Sequence, residues 1–124
     1  MFQCLGVSLM HKSLQALGRL PAGTMNKSEK EFSVYLESLR IAGEIQAWKF
    51  EPEKFRLANN CYYTPDFFVL NRDGSVTFYE VKGFWTDDAR IKIKVVAEQF
   101  PWYQFTAAYK RTKKEGGGWK FENF

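Results

Sequence analysis

The sequence predicts an α/β domain. Two stretches, one after Asn26 and one after Thr86, repeat apolar residues at helical spacing behind a capping residue. Short apolar or alternating runs between and after them, separated by turn residues, read as strands. Two of these strands, joined by a short turn, bring acidic side chains to one place. They are Tyr63-Thr64-Pro65-Asp66-Phe67 and Tyr79-Glu80-Val81-Lys82-Gly83. At 124 residues the chain is of single-domain size. Residues 1–24 read as an N-terminal arm or short helix, and 25–124 as one domain.

In the first stretch, Leu9, Leu14, Leu17 and Leu20 are loosely helix-spaced, but Gly18, Pro21 and Gly23 break the pattern. Asn26-Lys27-Ser28-Glu29 is a helix start, with Asn26 as N-cap and Glu29 as its reciprocal partner. Phe32, Tyr35, Leu36 and Leu39 form the buried stripe of this helix, which should stop near Gly43. Ile45–Phe50 reads as a strand, Glu51-Pro52-Glu53 interrupts it, and Phe55 and Leu57 begin a second short strand. Asn59-Asn60 is a turn. Tyr62–Leu70 reads as the next strand, with Pro65 marking a start, bulge or edge because it has no N–H to donate. Asn71-Arg72-Asp73-Gly74 turns the chain into a return strand, Val76–Val81.

Thr86 or Asp87 caps a second helix that runs to about Phe100, where Pro101 stops it. Ala89, Ile93, Val96, Ala97 and Phe100 make its main stripe. Ile91 and Val95 form a second patch, which predicts a sandwiched helix. Tyr103–Tyr109 and Trp119–Phe124 read as the last strands, separated by the basic run Lys110–Lys114 and the turn Gly116-Gly117-Gly118.

The register of the acid-bearing hairpin decides whether its carboxylates meet. Side chains on a strand alternate between faces, so Glu80 and Lys82 share one. Pairing residue 66 with 80 leaves Arg72-Asp73-Gly74 as a three-residue loop. Such loops end in a left-handed residue, usually glycine, and Gly74 stands there. A two-residue Asp73-Gly74 loop would send the two carboxylates to opposite faces.

Composition narrows the classes. The residues are 45% hydrophobic, 26% charged and 18% aromatic, which suits a globular domain with a dense aromatic core. The net charge of +4 permits a polyanionic partner without demanding one. Cys4 and Cys61 form no zinc-finger pattern, and one histidine, His11, makes a Ser-His-Asp triad implausible. No apolar run is long enough to span a membrane and no secretory leader is evident, so the chain reads as cytoplasmic.

Two carboxylates beside one ammonium suit a hard divalent cation and a phosphodiester. Magnesium takes one or two carboxylates and completes its shell with waters and phosphate oxygens. Asp66 and Glu80 would hold the ion, the backbone carbonyl of Val81 would add a ligand, and Lys82 would orient or activate the water. Glu29, beside the buried stripe of its helix, reads first as a capping residue and second as an acid of the same site. For Glu80 and Lys82 the plainer reading is a solvated strand face bearing an ion pair.

The order Glu29 … Pro65-Asp66 … Glu80-Val81-Lys82 resembles the PD-(D/E)xK nuclease superfamily. Within it, Tyr63-Thr64-Pro65-Asp66-Phe67 and Glu80-Val81-Lys82-Gly83-Phe84-Trp85-Thr86-Asp87-Asp88 resemble blocks of the phage endonuclease I-type Holliday-junction resolvases. The resemblance covers about residues 26–110. It implies a mixed central sheet flanked by helices, a restriction-endonuclease-like core. It also implies magnesium, with manganese as substitute, branched or duplex DNA as substrate, and a homodimer. The resolvases intertwine through an exchanged strand, and no such bridge is identifiable in this chain. Under this reading Arg90, Lys92, Lys94, Lys110, Arg111, Lys113 and Lys114 become candidate phosphate contacts, although such runs are commonly just solvated. The alternative is a catalytically silent nucleic-acid-binding or assembly module that keeps the fold.

Overall fold

The structure, a computed structural model, describes residues 23–124. The loosely helical Leu9–Leu20 stretch lies outside the described residues. Helix α1 spans Lys27–Ile41. Strands β1 (Ile45–Phe50), β2 (Phe55–Ala58), β3 (Cys61–Tyr63), β4 (Phe67–Asn71) and β5 (Val76–Val81) follow, then helix α2 (Asp87–Gln99), β6 (Gln104–Lys110) and β7 (Trp119–Asn123). The main sheet has the order β1-β4-β5-β6-β7, and β2 and β3 form a separate hairpin. Pairing of β5 with β6 is parallel and every other pairing is antiparallel, so the sheet is mixed.

Both helix ends of α1 follow from the sequence. Asn26 and Glu29 exchange backbone and side-chain hydrogen bonds at 2.9 Å each, a reciprocal capping box. At the other end Gly43 takes φ +78°, the N–H of Glu44 reaches the carbonyl of Leu39, and that of Gly43 reaches Arg40. This is the left-handed termination that glycine allows without strain. Helix α2 begins at Thr86, whose hydroxyl accepts the N–H of Ala89.

The helices cover opposite faces of the sheet. Phe32 and Leu36 of α1 pack on Phe67, Val69 and Ala108, with Tyr79 and Trp119 at the margin. Ile93 and Val96 of α2 pack on Phe78 and Phe105, together with Phe55, Leu57 and Tyr63 of the small hairpin. Each fully buried large side chain contributes about 1.5–3 kcal/mol, so the aromatic density of the sequence becomes two cores separated by one sheet. The second apolar patch of α2 divides: Val95 packs against the core, while Ile91 stays 38% exposed.

The expected strand Tyr62–Leu70 is two strands in different sheets. Tyr62 and Tyr63 pair with β2, and β4 starts only at Phe67. Thr64-Pro65-Asp66 carries the chain from one sheet to the other. Pro65 is the physical reason, since it offers no ladder donor and holds Thr64 extended.

Candidate active site

The acidic residues converge at one end of the sheet. Strand β4 begins there just after Asp66, β5 and β6 end there, and the N-terminus of α1 lies above it. The β4–β5 register pairs Phe67 with Tyr79 and Asn71 with Ser75, with Gly74 at φ +89°. Asn71 and Ser75 form a hydrogen-bonded pair, so alternation along the ladder makes 66 and 80 a non-hydrogen-bonded pair. Side chains stand closest at such positions. Oδ2 of Asp66 accepts the N–H of Val81 at 2.8 Å, which locks its carboxyl across the end of β5. The carbonyl of Asp66 accepts from Glu51 at 2.8 Å.

Glu80 is buried, and the Nζ of Lys82 lies 3.6 Å from its Oε1. The same ammonium sits over the Trp85 ring, 5.3 Å from the centroid. The backbone of Lys82 donates to Ala108 on β6 at 3.0 Å. Glu29 reaches the group from the other face of the sheet, one oxygen held in the capping box.

Electrostatics report the crowding. Burial pushes the Asp66 carboxyl well above the usual carboxylate range, and the neighbouring Glu80 pushes it further, against smaller opposing pulls from the Val81 N–H and Lys82. Glu80 is raised by burial, with Lys82 and a hydrogen bond from Asp66 working against it. Burial thus disfavours the charged form of both carboxyls, and each alters the titration of the other. Glu29 is raised by burial first, with its cap opposing and Asp66 adding repulsion. Among the described residues no three or more His, Cys, Asp or Glu side chains are arranged to hold a metal by themselves.

Residues 24–116 match the model of a family described as "Protein of unknown function (DUF1064)". The chain belongs to that family. It is also similar to "Endonuclease I" of Escherichia phage T7, 34% identical over 90 residues that cover 73% of this chain and 54% of that protein. The chain thus spans about half the length of the curated relative it matches. No solved structure matches it.

In this member of the DUF1064 family the basic residues fall into two groups. Arg90 is committed to the fold: its guanidinium contacts Glu122 at 2.7 and 3.3 Å and lies over Trp85 and Phe124. Lys92 donates to the carbonyl of Tyr62 at 2.9 Å, and burial lowers its pKa. Lys110 is paired with Glu31. Lys94, Arg111, Lys113 and Lys114 are exposed. Arg111, Lys113 and Lys114 follow the end of β6, and parallel pairing puts that end beside the end of β5. The basic turn therefore lies at the same end of the sheet as the acids.

Three contributors escape a reading of the sequence. Tyr63 is buried beside Asp66 and Glu80, and desolvation followed by these two charges pushes its hydroxyl well up. Glu51 holds a left-handed φ of +45° and accepts the N–H of Gly23 at 2.8 Å, tying down the approach to α1. Trp85 donates to the hydroxyl of Tyr109, which donates to Glu122 at 2.6 Å. Only the closeness of Tyr63 and Trp85 to the two acidic segments could have flagged them.

Proposed function

We propose that this protein is a metal-dependent DNA endonuclease with a PD-(D/E)xK-type site. The observation that carries this is the pairing of Asp66 with Glu80 across the end of a hairpin, with Lys82 3.6 Å from Glu80. The similarity to Endonuclease I of phage T7 supports it. The donor set fits magnesium, because it is all oxygen and magnesium needs only one or two carboxylates. A bound cation would also relieve the repulsion between Asp66 and Glu80.

Asp66 and Glu80 would hold the metal, with the carbonyl of Val81 and the outer oxygen of Glu29 as further ligands. When bound, magnesium would lower the pKa of an attacking water and neutralise phosphate charge. The chain's own groups do the rest. Val81 fixes the rotation of the Asp66 carboxyl. Glu80 and Trp85 hold the Lys82 ammonium in place, where it orients a water and faces the phosphate. Arg111, Lys113 and Lys114 neutralise flanking phosphates without reading bases. Branched DNA is the favoured substrate and a homodimer the favoured assembly, both from the resemblance to resolvases.

The test is cleavage of linear, nicked, flapped and four-way DNA with magnesium, manganese or EDTA, using wild type and Lys82→Ala. Wild type should cut only with metal, and Lys82→Ala should lose at least about a hundredfold in rate, the range for a positioned proton-transfer group. This variant should melt somewhat lower, because Glu80 loses its paired cation, yet stay folded at the assay temperature and bind DNA nearly as well as wild type. A Lys82→Ala protein that cuts normally removes the lysine from the mechanism. A wild type that binds DNA and never cuts it leaves the silent binding module.

A further inference from the structure

The segment between β5 and α2 carries an aromatic ring that the fold does not use. Phe84 is 80% exposed, the most exposed large apolar residue among the described residues. Its loop is nonetheless anchored on both sides. Lys82 donates to Ala108 on one side. On the other, Trp85 turns inward onto Tyr109 and lies 5.8 Å from the Phe124 ring, and Thr86 caps α2. A Cβ built on Gly83 would meet nothing within 4 Å. With most of its surface exposed, the ring projects from a held loop, two residues beyond Lys82, at the sheet end where β5 and β6 run out toward Arg111, Lys113 and Lys114.

A single exposed apolar side chain is ordinary on a protein surface. This one stands between the catalytic lysine and an anchored tryptophan, on a basic rim. We propose that Phe84 stacks on an unpaired or unstacked base beside the phosphate to be cut, and so makes the protein favour branched or interrupted DNA over continuous duplex. This rests on the nuclease reading for its substrate. Every base offers a π face, so the contact is indifferent to sequence. In a continuous duplex the stack must first be opened, which consumes the gain. At a branch point it is already open.

The experiment measures affinity in EDTA, by anisotropy, for a four-way junction and a linear duplex, with wild type, Phe84→Ala and Phe84→Trp. Cleavage with magnesium and sedimentation are measured on the same proteins. Phe84→Ala should lose about tenfold in junction affinity, equivalent to about 1.4 kcal/mol and within the range of one base–aromatic stack. Its duplex affinity should change by less than about twofold, and Phe84→Trp should keep the preference. Equal loss on both substrates, or no loss, overturns the proposal. So does a shift from dimer to monomer with unchanged DNA preference, which would make Phe84 a contact to a second copy of the chain. The outcomes separate from the nuclease reading. Selective binding through Phe84 with no cleavage defeats that reading alone. Cleavage with preference unchanged in Phe84→Ala defeats this proposal alone. A wild type that binds neither DNA defeats both.

Discussion

Replacing Asp66 with asparagine isolates the electrostatic cost of the site. In the wild type without metal, two carboxyls oppose each other at the closest kind of cross-strand pair. At a separation of about 4 Å and an effective dielectric near 20, two full charges would repel by about 4 kcal/mol. Lys82, 3.6 Å from Glu80, offsets part of this, although its pull on Asp66 is the smallest of the influences there. What remains is chiefly the desolvation of Asp66, the leading cause of its raised pKa. Asparagine keeps an oxygen for the Val81 N–H and presents an amide to Glu80, a bond to a charged acceptor worth about 1.5–3 kcal/mol. After side-chain adjustment we expect Asp66→Asn to gain about 1–2 kcal/mol at neutral pH in EDTA, roughly 4–10 °C in melting temperature for a domain near this size. The sign with pH is fixed. A carboxyl whose folded pKa is raised makes its full contribution below its unfolded value, near 3.8, and loses it as pH rises through the folded value. The advantage of Asp66→Asn should therefore vanish in acid and grow upward from about pH 4. Millimolar magnesium should raise the melting temperature of wild type by mass action and leave Asp66→Asn unmoved. The assay is a melting series across pH, with EDTA or magnesium. A wild type indifferent to magnesium and manganese, with Asp66→Asn melting lower in EDTA, would refute the account and return these acids to capping and ion-pair duty.

Charge reversal at Arg111, Lys113 and Lys114 should weaken binding to all DNA substrates alike and flatten the salt dependence, read from affinity against ionic strength; loss on one sequence only would contradict phosphate contact. Arg90→Ala should lower the melting temperature while leaving that salt slope unchanged, because its guanidinium is held by Glu122 and two rings. Phe32→Ala should cost about 3–5 kcal/mol in denaturant unfolding, since this fully buried ring meets Phe67, Tyr79 and Trp119 within 5.3 Å; a cost below about 1 kcal/mol would mean that α1 is not seated on the sheet as described.

The local signals in this chain were strong where one residue type decides the matter. Asn26 with Glu29, Thr86, Gly43 and Gly74 each have a conformation or a bond that few residues supply, and both ends of α1, the start of α2 and the hairpin register follow from them. Pro65 was legible as a disturbance but not as a crossing between sheets, because its missing N–H says where pairing fails and not where the chain goes next. Strand order was equally hidden, since the parallel contact between β5 and β6 joins segments separated by a whole helix. At the site, the spacing of Glu80 and Lys82 and the length of one turn were enough to place three groups together. The individual loyalties of the cations were not readable. Arg90 and Lys94 are four residues apart on one helix flank, yet the first is hydrogen-bonded to Glu122 and the second is exposed and acts on Glu122 only through its charge. That difference depends on β7, some thirty residues downstream.

The double use of Glu29 bears on how related sequences should be interpreted. One of its oxygens closes the first turn of α1, and the same side chain leans toward Asp66. A relative without any nuclease chemistry would still gain from an acid or amide there, because it caps the helix that carries Phe32 and Leu36 into the core. A glutamate at this position is therefore poor testimony that a homologue cuts anything. Asp66 gives the opposite kind of testimony. Burial and Glu80 disfavour its charged form, so under the proposed metal-site reading a lineage with no use for a cation would be free to drift to asparagine and become sturdier. If the proposed nuclease chemistry holds for this family, Asp66 and Lys82, and not Glu29, are the positions that separate its working members from silent ones.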